Sequence, residues 1–78
     1  MKKIIIPQFG ETTEEEITIV RWLKQPGEAV KTGEVLLEVE TNKALLQIEA
    51  IDFGTLLTIT KQVGELVKPG DVVGLIQE

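Results

Sequence analysis

Apolar residues in this chain come in short runs, several alternating with polar ones, and glycine or proline interrupts them at close intervals. The apolar stretches are rich in β-branched residues: Ile4-Ile5-Ile6, Ile17-Thr18-Ile19-Val20, Val35-Leu36-Leu37-Glu38-Val39 and Val72-Val73. The breaks fall at Pro7, Gly10, Pro26-Gly27, Gly33, Gly54, Gly64 and Pro69-Gly70. Helical periodicity is weak. Short strands separated by regular turn residues argue instead for an all-β sandwich or barrel. The pattern predicts strands over 2–6, 17–23, 35–40, 45–50, 54–60 and 72–77. Trp22, at the end of the second, is expected in the core. The run Glu14-Glu15-Glu16 reads as a solvated loop.

A repeat organises these elements. Shifted by 37 residues, Thr18 to Glu40 aligns without gaps on Thr55 to Gln77, with nine identities in 23 positions. Among them are Lys24/Lys61, Gly27/Gly64, Val30/Val67, Lys31/Lys68 and Gly33/Gly70. Ile19/Leu56, Trp22/Ile59, Leu36/Val73 and Val39/Ile76 keep their apolar character. Each half reads as strand, glycine turn, short valine-containing segment, glycine turn, strand. Such halves pack as two quasi-two-fold related sheets, with Gly27, Gly33, Gly64 and Gly70 at positive φ. The pseudo-symmetry has a corollary. Residues 41–44 join the halves, and their mates fall at the chain ends, so this turn is expected opposite the termini.

The joining turn is Glu40-Thr41-Asn42-Lys43-Ala44. Val39 and Ile48 are apolar beside the charged Glu38, Glu40 and Glu49, as in half-buried strands. Asn42 suits a tight turn because asparagine tolerates a left-handed backbone. Lys43 then projects into water from a tip that buries nothing. Lys24 and Lys61 are repeat mates, as are Lys31 and Lys68, and Lys2 and Lys3 lie at the terminus. Lys43 alone is internal and unmated. An exposed primary amine on a rigid hairpin suits acylation by a ligase, and the reaction removes its charge.

Length and composition narrow the function. A chain of 78 residues makes one domain. A domain of this size buries only roughly 60% of its unfolded surface, which leaves little room for a deep catalytic pocket. There is no Cys and no His. The chain therefore brings no thiol redox chemistry and no convincing acid–base cluster, and any redox function must come from an attached group. The formal charge of −5 disfavours nucleic acid and anionic membrane surfaces. The longest apolar runs, such as Ile4-Ile5-Ile6, are three residues, far short of a membrane span or a signal sequence.

These residues resemble the lipoyl domains of the dihydrolipoyl acyltransferase component of 2-oxo acid dehydrogenase complexes, within the biotinyl/lipoyl attachment family. That family carries a Glu-Thr-Asp-Lys-Ala type motif at a hairpin between the halves of a flattened β-barrel. Glu40 to Ala44 matches it except at Asn42. Pro7-Gln8-Phe9-Gly10-Glu11 resembles the family's Pro-x-x-Gly-Glu loop. Ile17 and Trp22 fit its Ile…Trp strand, Gly27-Glu28-Ala29-Val30 its Gly-(Asp/Glu)-x-Val turn, and Gly54, Gly64 and Gly70 its second half. The resemblance covers essentially the whole chain.

It implies a barrel-sandwich hybrid of two antiparallel sheets and lipoic acid in amide linkage to Lys43, flanked by Thr41, Asn42 and Ala44. It also implies that the loop Gln8, Phe9, Gly10, Glu11, Thr12 and Thr13 helps the decarboxylase recognise the domain. The implied partners are a lipoate ligase or lipoyl transferase, a thiamine-diphosphate-dependent 2-oxo acid decarboxylase, an acyltransferase catalytic domain and dihydrolipoyl dehydrogenase. Residues 1–78 would be a non-catalytic swinging-arm carrier, one fragment of a larger subunit. Its location would be the bacterial or archaeal cytoplasm, or the mitochondrial matrix in a eukaryote. The resemblance leaves open which 2-oxo acid is served. A biotin carrier shares the fold but normally flanks its lysine with Met, whereas the only Met here is Met1. Asn42 also keeps open an unmodified binding module that has the fold without using the lysine. A glycine-cleavage carrier is usually longer than this chain.

Overall fold

The computed structural model describes residues 1–8 and 16–78. Eight strands follow one another along the chain: β1 (Lys2–Ile5), β2 (Ile17–Trp22), β3 (Ala29–Val30), β4 (Val35–Glu40), β5 (Leu45–Glu49), β6 (Gly54–Ile59), β7 (Leu66–Val67) and β8 (Val72–Gln77). The six longer strands lie where the alternation of apolar and polar residues predicts them. The two-residue strands β3 and β7 are the valine-containing segments of the repeat, too short for a period-two pattern to register.

The strands form two four-stranded antiparallel sheets, ordered β1-β8-β6-β3 and β5-β4-β2-β7. The order of one maps onto the other when each element is exchanged for its repeat mate. The register repeats too. Thr18 lies opposite Glu40 and Thr55 opposite Gln77, with bulges at Ile19/Arg21 and at Leu56/Thr58. The halves are not separate sheets, however. β3, from the first half, pairs with β6, and β7, from the second, pairs with β2. Each half thus lends a strand to the other's sheet.

Turn chemistry repeats with the strands. Gly27, Gly33, Gly64 and Gly70 have φ between +92° and +97°. Side chains close the same turns: Glu28 accepts the Gln25 N–H at 2.7 Å, and its mate Glu65 accepts the Gln62 N–H at 2.6 Å. Glu34 and Asp71 do the same for the Lys31 and Lys68 N–H groups. That Lys31 amide bond, helped by a Lys24 ammonium 3.1 Å away, holds the Glu34 carboxyl below its ordinary pKa.

The core lies between the sheets and is built from mates: Ile19 with Leu56, Val30 with Val67, Leu36 with Val73, Val39 with Ile76. Its symmetry is one of position, not of size. Buried Ile17 and Leu37 correspond to Gly54 and Gly74. Trp22 accounts for part of this. Its ring is half-buried against the core rather than within it, contrary to the expectation for this residue. Its indole N–H donates to the Lys61 carbonyl at 2.9 Å. A Cβ on Gly74 would stand 3.3 Å from the ring's Cη2 and 3.0 Å from the Thr58 carbonyl oxygen, so no side chain fits easily there.

One connection breaks the symmetry. Eleven residues separate β1 from β2, but four separate β5 from β6, a surplus of seven. That surplus contains the loop expected to face a partner.

Candidate functional site

β4 and β5 form a hairpin whose last paired residues are Glu40 and Leu45. Residues 41–44 make its tip. Register fixes where this tip stands in the molecule. β2 starts beside it, with Thr18 opposite Glu40, and runs away from it. The turn after β2 leads to β3, whose Ala29 lies opposite Thr55, itself opposite Gln77 near the C-terminus. Lys2, near the N-terminus, pairs with Ile76. The tip and the two chain ends therefore occupy opposite poles, and the longest dimension of the domain is 32 Å.

Within the tip, Asn42, Lys43 and Ala44 are exposed, but Thr41 is only 8% accessible. The expectation that the turn buries nothing fails at that residue. The Thr41 N–H donates to the Ala44 carbonyl at 2.8 Å. The Thr41 hydroxyl donates to the same carbonyl at 3.2 Å and accepts from the N–H groups of Lys43 at 3.2 Å and Ala44 at 3.1 Å. One hydroxyl hydrogen and two lone pairs are thereby all used. No described non-glycine residue has positive φ, so Asn42 does not take the left-handed conformation expected of it. The hydroxyl closes this tip instead. Sequence carried a hint of this, because threonine bonds backbone N–H groups two and three residues on. An Asn within a turn was the more conspicuous feature.

Neither Asn42 nor the Lys43 ammonium makes a hydrogen bond or ion pair with any described residue. The amine is thus exposed and unengaged among the described residues, which is what an amide-linked prosthetic group requires of its attachment point. Lys24, by contrast, is engaged by the Ala29 carbonyl and by Glu34. Around the tip, the register aligns Leu45, Glu40, Thr18 and Leu66 in one row across the outer face, with both leucines 60% exposed.

Of the loop expected to face a partner, Gln8 is exposed just past β1, and Phe9, Gly10, Glu11, Thr12 and Thr13 lie outside the described residues. Elsewhere, a groove of about 350 Å³ opens between the edges of β1 and β5, with Lys3, Glu49 and Asp52 at its lining. Among the described residues no three His, Cys, Asp or Glu side chains are grouped to hold a metal ion. None of their helices is long and apolar enough to cross a membrane.

Comparison with known proteins gives this geometry a context. The family model described as "Biotin-requiring enzyme" matches residues 2–76. The succinyltransferase component of the 2-oxoglutarate dehydrogenase complex from Bacillus subtilis is 41% identical over 78 residues, covering 100% of this chain and 18% of that protein. Its counterpart from Rickettsia typhi is 49% identical over 76 residues, covering 97% of this chain and 19% of that protein. The chain thus spans less than a fifth of the length of these relatives. The solution structure of the lipoyl domain of the 2-oxoglutarate dehydrogenase complex from Azotobacter vinelandii superposes with a TM-score of 0.75 at 34% identity. There the match covers 97% of this chain and 95% of that one. With the hairpin lysine and two interlocked sheets on the same scaffold, the chain belongs to the biotin- and lipoyl-attachment family, as a domain of the lipoyl type.

Proposed function

We propose that this chain is a lipoyl carrier domain of a 2-oxo acid dehydrogenase complex, with lipoic acid joined by an amide to Lys43. It would be one domain of a longer acyltransferase subunit. The observation that carries the reading is an unengaged amine on a hydrogen-bonded hairpin tip, at the pole opposite both chain ends. Relatives named for the 2-oxoglutarate complex favour 2-oxoglutarate as the substrate of the decarboxylase served.

When bound, lipoic acid supplies a dithiolane that accepts an acyl group together with two electrons. This chain's residues do the rest. The Lys43 ammonium loses a proton, and its Nζ attacks the ATP-activated carboxyl of lipoate and expels AMP; the amide is neutral, taking the formal net charge from −5 to −6. The four-carbon stem of Lys43 adds reach, while β4 and β5 keep the attachment point fixed. Tethering raises the local concentration of the arm at each active site it visits. Those sites belong to the partners: a thiamine-diphosphate decarboxylase, the acyltransferase catalytic domain and dihydrolipoyl dehydrogenase, after a lipoate ligase or lipoyl transferase has loaded the lysine. The domain itself carries rather than catalyses, and in a bacterium it would do so in the cytoplasm.

Intact mass after incubation with ATP, lipoate and a lipoate ligase tests the reading. One lipoyl adduct is expected on the wild-type domain and none on Lys43→Ala. Biotin with a biotin ligase runs beside it, because the family includes biotin carriers. A biotin adduct alone would move the domain to a carboxylase. No adduct of either kind would leave an unmodified binding module. With the lipoylated domain in hand, acylation by a 2-oxoglutarate decarboxylase and not by a pyruvate decarboxylase is the expected substrate preference.

A further inference from the structure

We propose that Thr41 is the positioning residue for Lys43: its hydroxyl holds the acceptor lysine's own backbone in the conformation that the modifying enzyme recognises. The inference deepens the carrier reading and rests on it.

With Glu40 and Leu45 the last paired residues, 41–44 is a four-residue loop, a kind most often built around a type I turn, which needs no positive φ but leaves backbone N–H groups to be satisfied. This tip contains no glycine, and none of its residues has positive φ. What closes it is Thr41. The N–H of Ala44 goes to the Thr41 hydroxyl at 3.1 Å, and the N–H of Lys43 goes to the same oxygen at 3.2 Å. Thr41 is also the one tip residue that is buried. The Asn42 and Lys43 side chains add nothing to this hold among the described residues. At the matching position of the second half stands Glu78, which carries no hydroxyl. The device therefore belongs to the lysine turn and not to the general architecture.

Removing the hydroxyl frees two backbone N–H groups to bond water, and the tip then samples other turns. A ligase that binds one of them meets a smaller competent fraction, which raises the apparent KM and leaves kcat unaltered.

The test compares Thr41→Val, Thr41→Ala and Thr41→Ser with the wild-type domain. Three quantities are read: steady-state lipoylation kinetics by intact mass, amide hydrogen exchange at Lys43 and Ala44, and the rate at which a small amine-reactive ester acylates Lys43. Two variants lack the hydroxyl, so that a packing fault peculiar to one side chain is not mistaken for its loss. The expected result for both is faster exchange at the two amides and a KM raised about tenfold. The kcat and the small-ester rate should stay within about twofold of wild type, and Thr41→Ser should match wild type throughout. Unchanged KM in both folded, hydroxyl-less variants would overturn the proposal while leaving the carrier reading intact. So would a Thr41→Ser variant as impaired as Thr41→Val. A wild-type domain that takes up no lipoyl group overturns both.

Discussion

At the scale of single residues, the site divides labour between neighbours that look alike in sequence. Thr41 and Asn42 are both polar turn formers. Only Thr41 is bonded into the tip, while the side chain of Asn42 touches no described hydrogen-bonding partner. The place where this chain departs from the Asp of the family motif is thus one that the fold does not use. Asn42→Asp should leave thermal stability within about 0.5 kcal/mol, as at surface positions free of special features. Any acceleration of lipoylation or of subsequent acylation would then come from a carboxylate read by the partner enzyme. Equal rates for the wild-type domain and the Asn42→Asp variant would show that the partner reads the backbone of the tip rather than its side chain. Lys43 stood out without a structure as the one internal lysine lacking a repeat mate, though its proposed role came from the family motif and not from position; its exposure at the tip is what the structure adds. The role of Thr41 was not legible, because a threonine flanking a strand is ordinary and burial is a three-dimensional fact.

At the scale of elements, the alternation of apolar and polar residues located all six longer strands to within a residue at each end. It could not find β3 and β7, since two residues carry no period. It also could not tell that these short strands cross to the opposite sheet. Crossing depends on the positive-φ glycine turns on either side, whose exit direction composition does not reveal. One difference between the halves links two positions, Trp22, whose mate is Ile59, and Gly74, whose mate is Leu37. Trp22 fills space that Gly74 leaves open, and its indole N–H satisfies the Lys61 carbonyl. Trp22→Ala should cost about 3 kcal/mol, the low end for truncating a large aromatic, because the ring is only half-buried. Chemical denaturation followed by far-ultraviolet circular dichroism checks this. A loss under about 1 kcal/mol would mean that the ring lies on the core without stabilising it. The edges are managed as well: β3 and β7 are very short, and β1 carries Lys2 and Lys3, both of which discourage pairing with other chains.

At the scale of the whole molecule, the pseudo-two-fold makes each half a control for the other. What the two share is scaffold: the glycine turns, the carboxylates that close them, the bulges and most core positions. What they do not share is where the proposed function is placed, namely the Lys43 tip and the longer connection between β1 and β2. Sequence revealed the symmetry through identities at a fixed shift, and with it the opposite placement of tip and termini. The exchanged strands β3 and β7 have a consequence for how the domain comes apart. Neither half can detach without breaking pairs in both sheets, so native-state hydrogen exchange should give one common opening free energy for β2, β4, β6 and β8. Two distinct values, one for each half, would show that the halves open separately. A single value would mean that the duplication is an interlocked dimer written into one chain, in which no subunit remains to dissociate. Such a body has no stable half-open form to offer a protease or an aggregate.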